Sequence, residues 1–162
     1  MRNVVLNTTP LIVLCNIGHL GLLRELYGEV IIPDAVFKEI SAKDDLVSRQ
    51  VKKNLGWIHV KEETQSRQED RAMYRAKLHD GEVEVMLLAQ DVQADLVVLD
   101  DNAAKRTALY LGLNVTGTLG VLLKAKEKGL IEKVAPLAAK MMANGFYLDD
   151  DVLTLVLKNA GE

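Results

Sequence analysis

Short runs of purely aliphatic residues alternate with longer helical patterns along this chain, and this alternation restricts the fold more than any other feature. Three such runs are residues 4–6, 30–32 and 96–99. A strand without a polar side chain on either face has to be covered on both faces, which is typical of parallel sheets flanked by helices. The pattern therefore predicts an α/β fold, with a central, mostly parallel sheet of four to five strands and helices on both faces.

Turn and capping residues set the bounds of the other predicted elements. Pro10 and Pro33 suit the first turns of helices, and Gly129 and Gly145 suit their ends. Short strands are also expected at residues 57–60 and 114–116, and residues 62–68 are expected to be charged and exposed. Besides the helices opening at Pro10 and Pro33, the pattern predicts helices at residues 20–26, 44–55, 68–78, 81–92, 103–111, 119–128, 131–143 and 150–159.

Length and charge narrow the class of protein. The 162 residues suit a single domain, and we expect it to span residues 1–162. Twenty basic and twenty-three acidic residues give a net charge of −3, so no broad basic surface is available to hold nucleic acid and any phosphate contact must be local. A single cysteine, with no targeting segment or apolar run long enough for a membrane span, favours a cytoplasmic protein without membrane contact.

The strand expected at residues 96–99 stops at two adjacent acids, Asp100 and Asp101, followed by Asn102. Parallel strands place functional groups at their carboxyl ends, and three side-chain oxygens are more than one helix cap requires. Oxygen donors without a histidine or cysteine cluster favour Mg²⁺ or Mn²⁺. Capping of the next helix alone is the alternative interpretation.

A second acidic segment opens the helix expected at residues 81–92. Glu82 and Glu84 lie about 200° apart around a helix, so they cannot both face one pocket. Glu82 shares its side of the helix with Gln90, as on a solvated face, whereas Glu84 lies beside Leu88, where an acid is costly unless it is paired or binds a cation. We therefore select Glu84. Alternatively, both glutamates only complement the helix dipole.

Two further groups are candidates for phosphate contacts. Lys105 and Arg106 come one turn after the aspartates and could hold a nucleic-acid backbone, or they form a solvated helix face. Gly117 and Thr118 open a helix whose N–H groups could meet a phosphate, although a tight turn between strand and helix explains the glycine equally well.

In their order and spacing, several segments resemble the PIN-domain family, and closest are its small prokaryotic members. The resemblance covers most of the chain and rests on no single motif. The segments are Asn7-Thr8-Thr9-Pro10-Leu11-Ile12, Ile31-Ile32-Pro33-Asp34-Ala35-Val36-Phe37-Lys38-Glu39-Ile40, Gly81-Glu82-Val83-Glu84, Leu99-Asp100-Asp101 and Val115-Thr116-Gly117-Thr118-Leu119-Gly120-Val121-Leu122.

The resemblance implies a three-layer fold and a metal-dependent ribonuclease that uses Mg²⁺ or Mn²⁺ to cleave RNA. Many small relatives are VapC-like toxins, so an antitoxin protein is an expected partner. A homodimer through the leucine-rich helices at residues 20–26 and 119–125 is also expected. The helices at about 131–159 are expected to be an extension specific to this branch of the family.

The same resemblance assigns roles to individual residues. Asn7 occupies a position where the family usually has Asp, so one negative charge is missing although a carbonyl oxygen remains for a cation. The expected catalytic residues and, together with Asn7, metal ligands are Glu39, Glu84, Asp100 and Asp101. The expected substrate-binding residues are Thr8, Thr9, Asn102, Lys105, Arg106 and Thr118.

One alternative function stays open because of Asn7: a weak or inactive PIN-like module that binds RNA or a protein partner without cleavage. A phosphatase with an aspartyl nucleophile is disfavoured, since Asn7 cannot perform the displacement.

Overall fold

The computed structural model describes residues 3–62, 68–76 and 78–162. Within these ranges, five strands form one sheet in the order β3-β2-β1-β4-β5, and all neighbouring strands pair in parallel. The predicted α/β fold is therefore confirmed. The strands are β1 (Val4–Leu6), β2 (Val30–Pro33), β3 (Ile58–Lys61), β4 (Leu96–Val98) and β5 (Val115–Thr116).

The helices follow the predicted pattern with shifted ends. The helix predicted at residues 44–55 begins only after Asp45, whose side chain accepts a hydrogen bond from Ser48 N. The helix predicted at residues 131–143 begins at Ala135, because Pro136 suits a first turn. The described helices are α1 (Thr8–Asn16), α2 (Gly21–Tyr27), α3 (Asp34–Ser41), α4 (Leu46–Lys53), α5 (Gln68–Arg75), α6 (Asp80–Asp91), α7 (Asn102–Tyr110), α8 (Thr118–Glu127), α9 (Ala135–Ala143) and α10 (Asp150–Asn159).

Two segments with a predicted structure contain residues that the structure does not describe. Of the segment 62–68, expected to be charged and exposed, residues 63–67 lie outside the described residues, and so does residue 77 in the helix predicted at 68–78. Glu62 itself is exposed.

The direction of each crossover explains how helices cover both faces of the sheet. From β1 to β2 the chain moves one way across the sheet, and from β3 to β4 it moves the other way. Right-handed crossovers in opposite directions place their helices on opposite faces. Helices α1 and α2 thus cover one face, while α6 lies against β1 and β2 with α5 packed upon it. All three residues of β1 are completely buried between these layers.

The helices that suggested a homodimer pack against each other within the chain. Helix α2 contacts α8, and Leu22, Leu23, Val121 and Leu122 are buried in the common core. These buried side chains are therefore not available as a subunit interface. The homodimer stays a prediction, and these side chains of the two helices do not support it. Among the described residues, none of the helices has the length and apolar character needed to cross a membrane.

Candidate functional site

The strand order indicates where along the carboxyl edge of the sheet a ligand is expected to bind. The order reverses between β1 and β4, because β2 and β3 extend to one side of β1 while β4 and β5 extend to the other. In open parallel sheets, ligands bind at this reversal point, outside the carboxyl ends of the strands. The residues that follow β1 and β4 are Asn7 and Leu99-Asp100, so the predicted acids and Asn7 lie on the edge where a site is expected.

Asn7 is held at this edge by the sheet itself. Leu6 pairs with Val98, and the Asn7 N–H continues the ladder by donating to Val98 O at 3.0 Å. The side chain is 8% exposed, and it begins α1 without forming a capping hydrogen bond. The backbone of Asn7 is therefore fixed beside the end of β4, and its carboxamide does not cap α1.

Glu39 reaches the same edge from α3. Its Oε2 accepts a hydrogen bond from Thr8 Oγ1 at 2.8 Å, which ties it to the residue after Asn7. A Cβ built on Gly81 would lie 3.4 Å from the same oxygen, so the first turn of α6 also faces Glu39. Glu39 and Thr8 line a cavity of about 400 Å³ together with Asn16 and Lys43.

Asp100 is fixed by the amino end of α8. Its Oδ1 accepts from Thr118 N at 2.8 Å, and its Oδ2 accepts from Thr118 Oγ1 at 2.7 Å. The Thr118 N–H, which was one of two candidates for a phosphate contact at this helix start, is thus donated to a carboxylate of the protein. Thr118 is completely buried, which corrects its predicted role: it positions Asp100 and has no exposed surface for a substrate.

Lys105 places a positive charge near Asp100, at a position that we call the Gly117 corner. A Cβ on Gly117 would lie 2.7 Å from Asp100 Oδ1 and 2.9 Å from Lys105 Nζ, so both side chains pass directly over the glycine. Gly117 has a φ of −112°, which any residue adopts. A side chain at this position would therefore displace the ends of Asp100 and Lys105, and this close approach accounts for the glycine better than the backbone conformation of a tight turn does.

Asp101 caps α7 and also contacts the first turn of α6. Its Oδ2 accepts from Ala104 N at 2.9 Å. The neighbouring carboxyl group belongs to Glu82, which is 5% exposed and whose Oε1 accepts from His79 N at 3.3 Å. Burial raises the pKa of Glu82, the His79 N–H opposes this rise, and the adjacent Asp101 carboxylate adds to it.

The expectation that Glu82 faces solvent was wrong. Helix α5 covers that side of α6, and its Tyr74 hydroxyl donates to Gln90 Oε1 at 3.1 Å, so the side that Glu82 shares with Gln90 is not solvated. Glu84 is half-buried and lies one turn beyond Gly81, on the side of α6 that faces Glu39. The two glutamates of α6 therefore lie on different sides of the helix. Glu82 lies near Asp101, and Glu84 lies on the side that faces Glu39.

The other predicted substrate contacts lie on the surface around this edge. Thr9, Asn102 and Arg106 are exposed, and Lys105 is half-buried. Sequence reasoning missed the contact between Glu82 and Asp101. The spacing of His79 and Glu82, which is that of a capping box, was the available signal for a Glu82 turned toward its own helix start.

The donor set of this edge fits a hard divalent cation. Apart from the Lys105 ammonium group, its side chains offer oxygens, and among the described residues Glu82 Oε2, near Asp101, is buried without a hydrogen-bond partner. In the part of the chain that the structure describes, no three acidic, histidine or cysteine side chains are close enough to enclose a metal. Mg²⁺ commonly binds to only one or two carboxylates and completes its shell with water and substrate phosphate, so this spacing is compatible with it.

Comparison with known proteins agrees with the fold. A search of curated protein sequences finds no match. A family model described as a PIN domain matches residues 3–162. PIN domains are generally nucleases that use divalent metal ions. Because the match covers nearly the whole chain, this protein belongs to the PIN-domain family.

Proposed function

We propose that this protein is a metal-dependent ribonuclease that cleaves RNA phosphodiester bonds at the carboxyl edge of its sheet. The observation that carries the proposal is the corner at Gly117, where Asp100 is held by Thr118 directly beside Lys105. A carboxylate can bind a cation, and an ammonium group can bind a phosphate oxygen, so the two together suit metal-dependent cleavage of a phosphodiester. Family membership supports the same chemistry at the coarser level of a nuclease.

The cation ligands in this proposal are Asn7, Glu39, Glu84, Asp100 and Asp101. When bound, Mg²⁺ or Mn²⁺ supplies charge neutralisation at the phosphate and lowers the pKa of an attacking water. Thr8 and Thr118 hold the oxygens of Glu39 and Asp100 in fixed directions. Lys105 binds a phosphate oxygen of the substrate, and the exposed Arg106 contacts the backbone farther along, without reading the base sequence.

The test is cleavage of labelled single-stranded RNA by the purified protein in Mg²⁺, in Mn²⁺ and in a chelator. We expect cleavage only with the metals, and a loss of about a hundredfold or more in Asp100→Ala and Glu84→Ala. The matched control is Glu127→Gln, which removes a surface carboxylate that pairs with Lys124 at 3.4 Å. Equal cleavage by Asp100→Ala and the control would contradict the proposal.

A non-cleaving module that binds RNA or a protein is the second candidate, and two observations favour it. Asn7 supplies no charge to the edge, and among the described residues no three acids enclose a metal position. In the same experiment, this module would bind the labelled RNA without metal-dependent cleavage. The two candidates thus differ in one measurement.

The toxin role extends the proposal to the cell. PIN domains often belong to toxin–antitoxin pairs, so we propose that an antitoxin protein restrains this ribonuclease. Induced expression in a bacterial host should arrest growth, and Asp100→Ala should relieve the arrest at equal protein level. Growth arrest by both forms would show that cleavage at this site is not the cause.

A further inference from the structure

A second cavity lies between α5 and α7. It has a volume of about 440 Å³, and its walls are Met73, Tyr74 and Leu78 on one side and α7 residues including Arg106 and Tyr110 on the other. None of the assigned roles uses this cavity except through Arg106. We call it the α5–α7 groove.

The groove has an apolar floor and an exposed aromatic rim. Tyr74 and Leu78 are 5% and 7% exposed and form the floor, whereas Met73 is 59% and Tyr110 is 88% exposed. Single exposed apolar residues are ordinary on protein surfaces, but an exposed tyrosine at the rim of an apolar cavity offers a planar face to a planar ligand.

The charge of the groove favours a ligand that carries phosphate. Among the lining residues that the structure describes, Arg106 carries the charge, and it is positive. Arg106 and Tyr110 are four residues apart on α7, so they are neighbours on one helix face, at a Cβ spacing of about 5–6 Å. A guanidinium group and an aromatic ring at this spacing can hold the phosphate and the base of one nucleotide.

Helix α7 connects the groove with the candidate cleavage site. It begins directly after Asp101, and its consecutive residues Lys105 and Arg106 point to different places. Lys105 Nζ lies at the Gly117 corner beside Asp100, while Arg106 lines the groove. An RNA strand that is bound at Lys105 and continues along α7 reaches Arg106 and Tyr110.

We propose that the α5–α7 groove binds one unpaired base of a single-stranded RNA, stacked on Tyr110, with the adjoining phosphate on Arg106. This inference rests on the proposed ribonuclease function and adds a subsite for one base beside the cleavage site, which a base inside a duplex cannot enter. Stacking tolerates different bases, so the groove selects for single strands and not for a sequence.

The test measures binding of the full chain to two fluorescent probes in Ca²⁺, added in place of Mg²⁺ to suppress cleavage. One probe is an oligouridine, and the other is an abasic oligonucleotide with the same number of phosphates. We expect Tyr110→Ala to weaken oligouridine binding by roughly ten- to a hundredfold and to leave abasic binding unchanged. Tyr110→Phe keeps the ring and should bind like the wild type.

Tyr147→Ala is the matched control, because Tyr147 is 87% exposed and lies outside the groove. Equal oligouridine binding by Tyr110→Ala and Tyr147→Ala would overturn the inference. If the wild-type protein still cleaves RNA in that case, the proposed function stands without the groove; if it neither binds nor cleaves RNA, both fail. Loss of a dimer in Tyr110→Ala with unchanged RNA binding would instead identify the occupant as a second copy and overturn the inference.

Discussion

Thr118 uses both of its donors on Asp100, the N–H on one oxygen and the hydroxyl on the other. A carboxylate held at both oxygens cannot rotate, so its remaining lone pairs keep a fixed direction. At Glu39 only Oε2 is held in this way, by Thr8. Asn7 lies between these two carboxylates along the edge, and its side chain offers a neutral oxygen in place of a charged one. The negative charge of the edge therefore comes from α3, α6 and the β4 loop.

Asn7→Asp tests whether that missing charge limits the enzyme. A carboxylate at this position adds one anionic ligand for a divalent cation, so we expect the metal concentration for half-maximal RNA cleavage to fall by roughly tenfold, as changes close to a metal commonly produce. The measurement is a metal titration of the cleavage rate.

Asn159→Asp is the control for this change, because Asn159 is exposed at the end of α10 and should leave the titration unchanged. Without metal, Asn7→Asp is expected to lower thermal stability, since it adds a like charge near the other carboxylates. A titration identical to that of the wild type would remove Asn7 from the set of ligands.

Gly117→Ala tests the corner shared by Asp100 and Lys105. The new Cβ would lie 2.7 Å from Asp100 Oδ1 and 2.9 Å from Lys105 Nζ, so both side chains have to move. Because the displaced atoms are the ends of side chains, we expect a stability loss of only about 1 kcal/mol. Misplacement of the carboxylate is expected to lower the cleavage rate on the order of a hundredfold.

Gly56→Ala is the matched control, since a Cβ there meets nothing within 4 Å. Cleavage rate and thermal unfolding are measured for both variants. A Gly117→Ala protein that cleaves RNA at the wild-type rate would show that the positions of Asp100 and Lys105 do not matter for the reaction.

At the scale of elements, α6 shows where sequence reasoning ends. The aliphatic runs predict buried strands because no other arrangement covers both of their faces, and β1, β2 and β4 are found where predicted. Gln90 led to the prediction that this side of α6 is solvated. The prediction is wrong because α5, the helix that precedes α6 in the sequence, packs over that side. Which helix covers a polar residue depends on tertiary packing, and helical periodicity does not contain this information.

The Glu162 side chain joins two helices and gives a prediction for pH. Its carboxylate accepts hydrogen bonds from Val134 N at 2.7 Å and Ala135 N at 3.0 Å, at the start of α9, and from Lys126 Nζ on α8 at 2.9 Å. The two backbone N–H groups, followed by Lys126, lower the pKa of Glu162 to about 2. The charged form is thus favoured by folding.

A lowered carboxyl pKa contributes stability above its ordinary value of 4.5, and this contribution is lost as the pH falls toward 2. We therefore expect Glu162→Gln to unfold at lower urea concentration than the wild type at pH 7, with a difference that shrinks steadily below pH 4.5. The control is Glu127→Gln, which removes an exposed pair that contributes little. A difference that grows on acidification would contradict this account.

At the scale of the whole molecule, it was predictable that these residues share one edge of the sheet, and the contacts between them were not predictable. Parallel strands gather their carboxyl ends on one edge, so acids after β4 and the residue after β1 were expected together, and the reversal of strand order between them agrees. The bonds from Thr118 to Asp100 join residues 18 positions apart across two elements. The contact of Glu82 with Asp101 likewise depends on how α6 packs beside the β4 loop. Neither contact follows from local periodicity.

The assembled edge predicts that metal stabilises the whole fold. The acids of the edge are brought near one another only on folding, so a cation that binds them binds the folded chain and stabilises it. Mg²⁺ at about a hundred times its dissociation constant should add about 2.7 kcal/mol to the free energy of unfolding. Urea unfolding of the wild type in Mg²⁺ and in chelator at equal ionic strength measures this difference.

The same comparison in Asp100→Asn separates a site from general screening of charge. Loss of the carboxylate should remove most of the gain from Mg²⁺, while Glu127→Gln should keep it, because that residue lies on the surface of α8. An equal gain in Asp100→Asn would mean that Mg²⁺ acts elsewhere, and no gain in any form would remove the metal site. The readout is stability, so the result stands whether or not the RNA cleaved in the cell is identified.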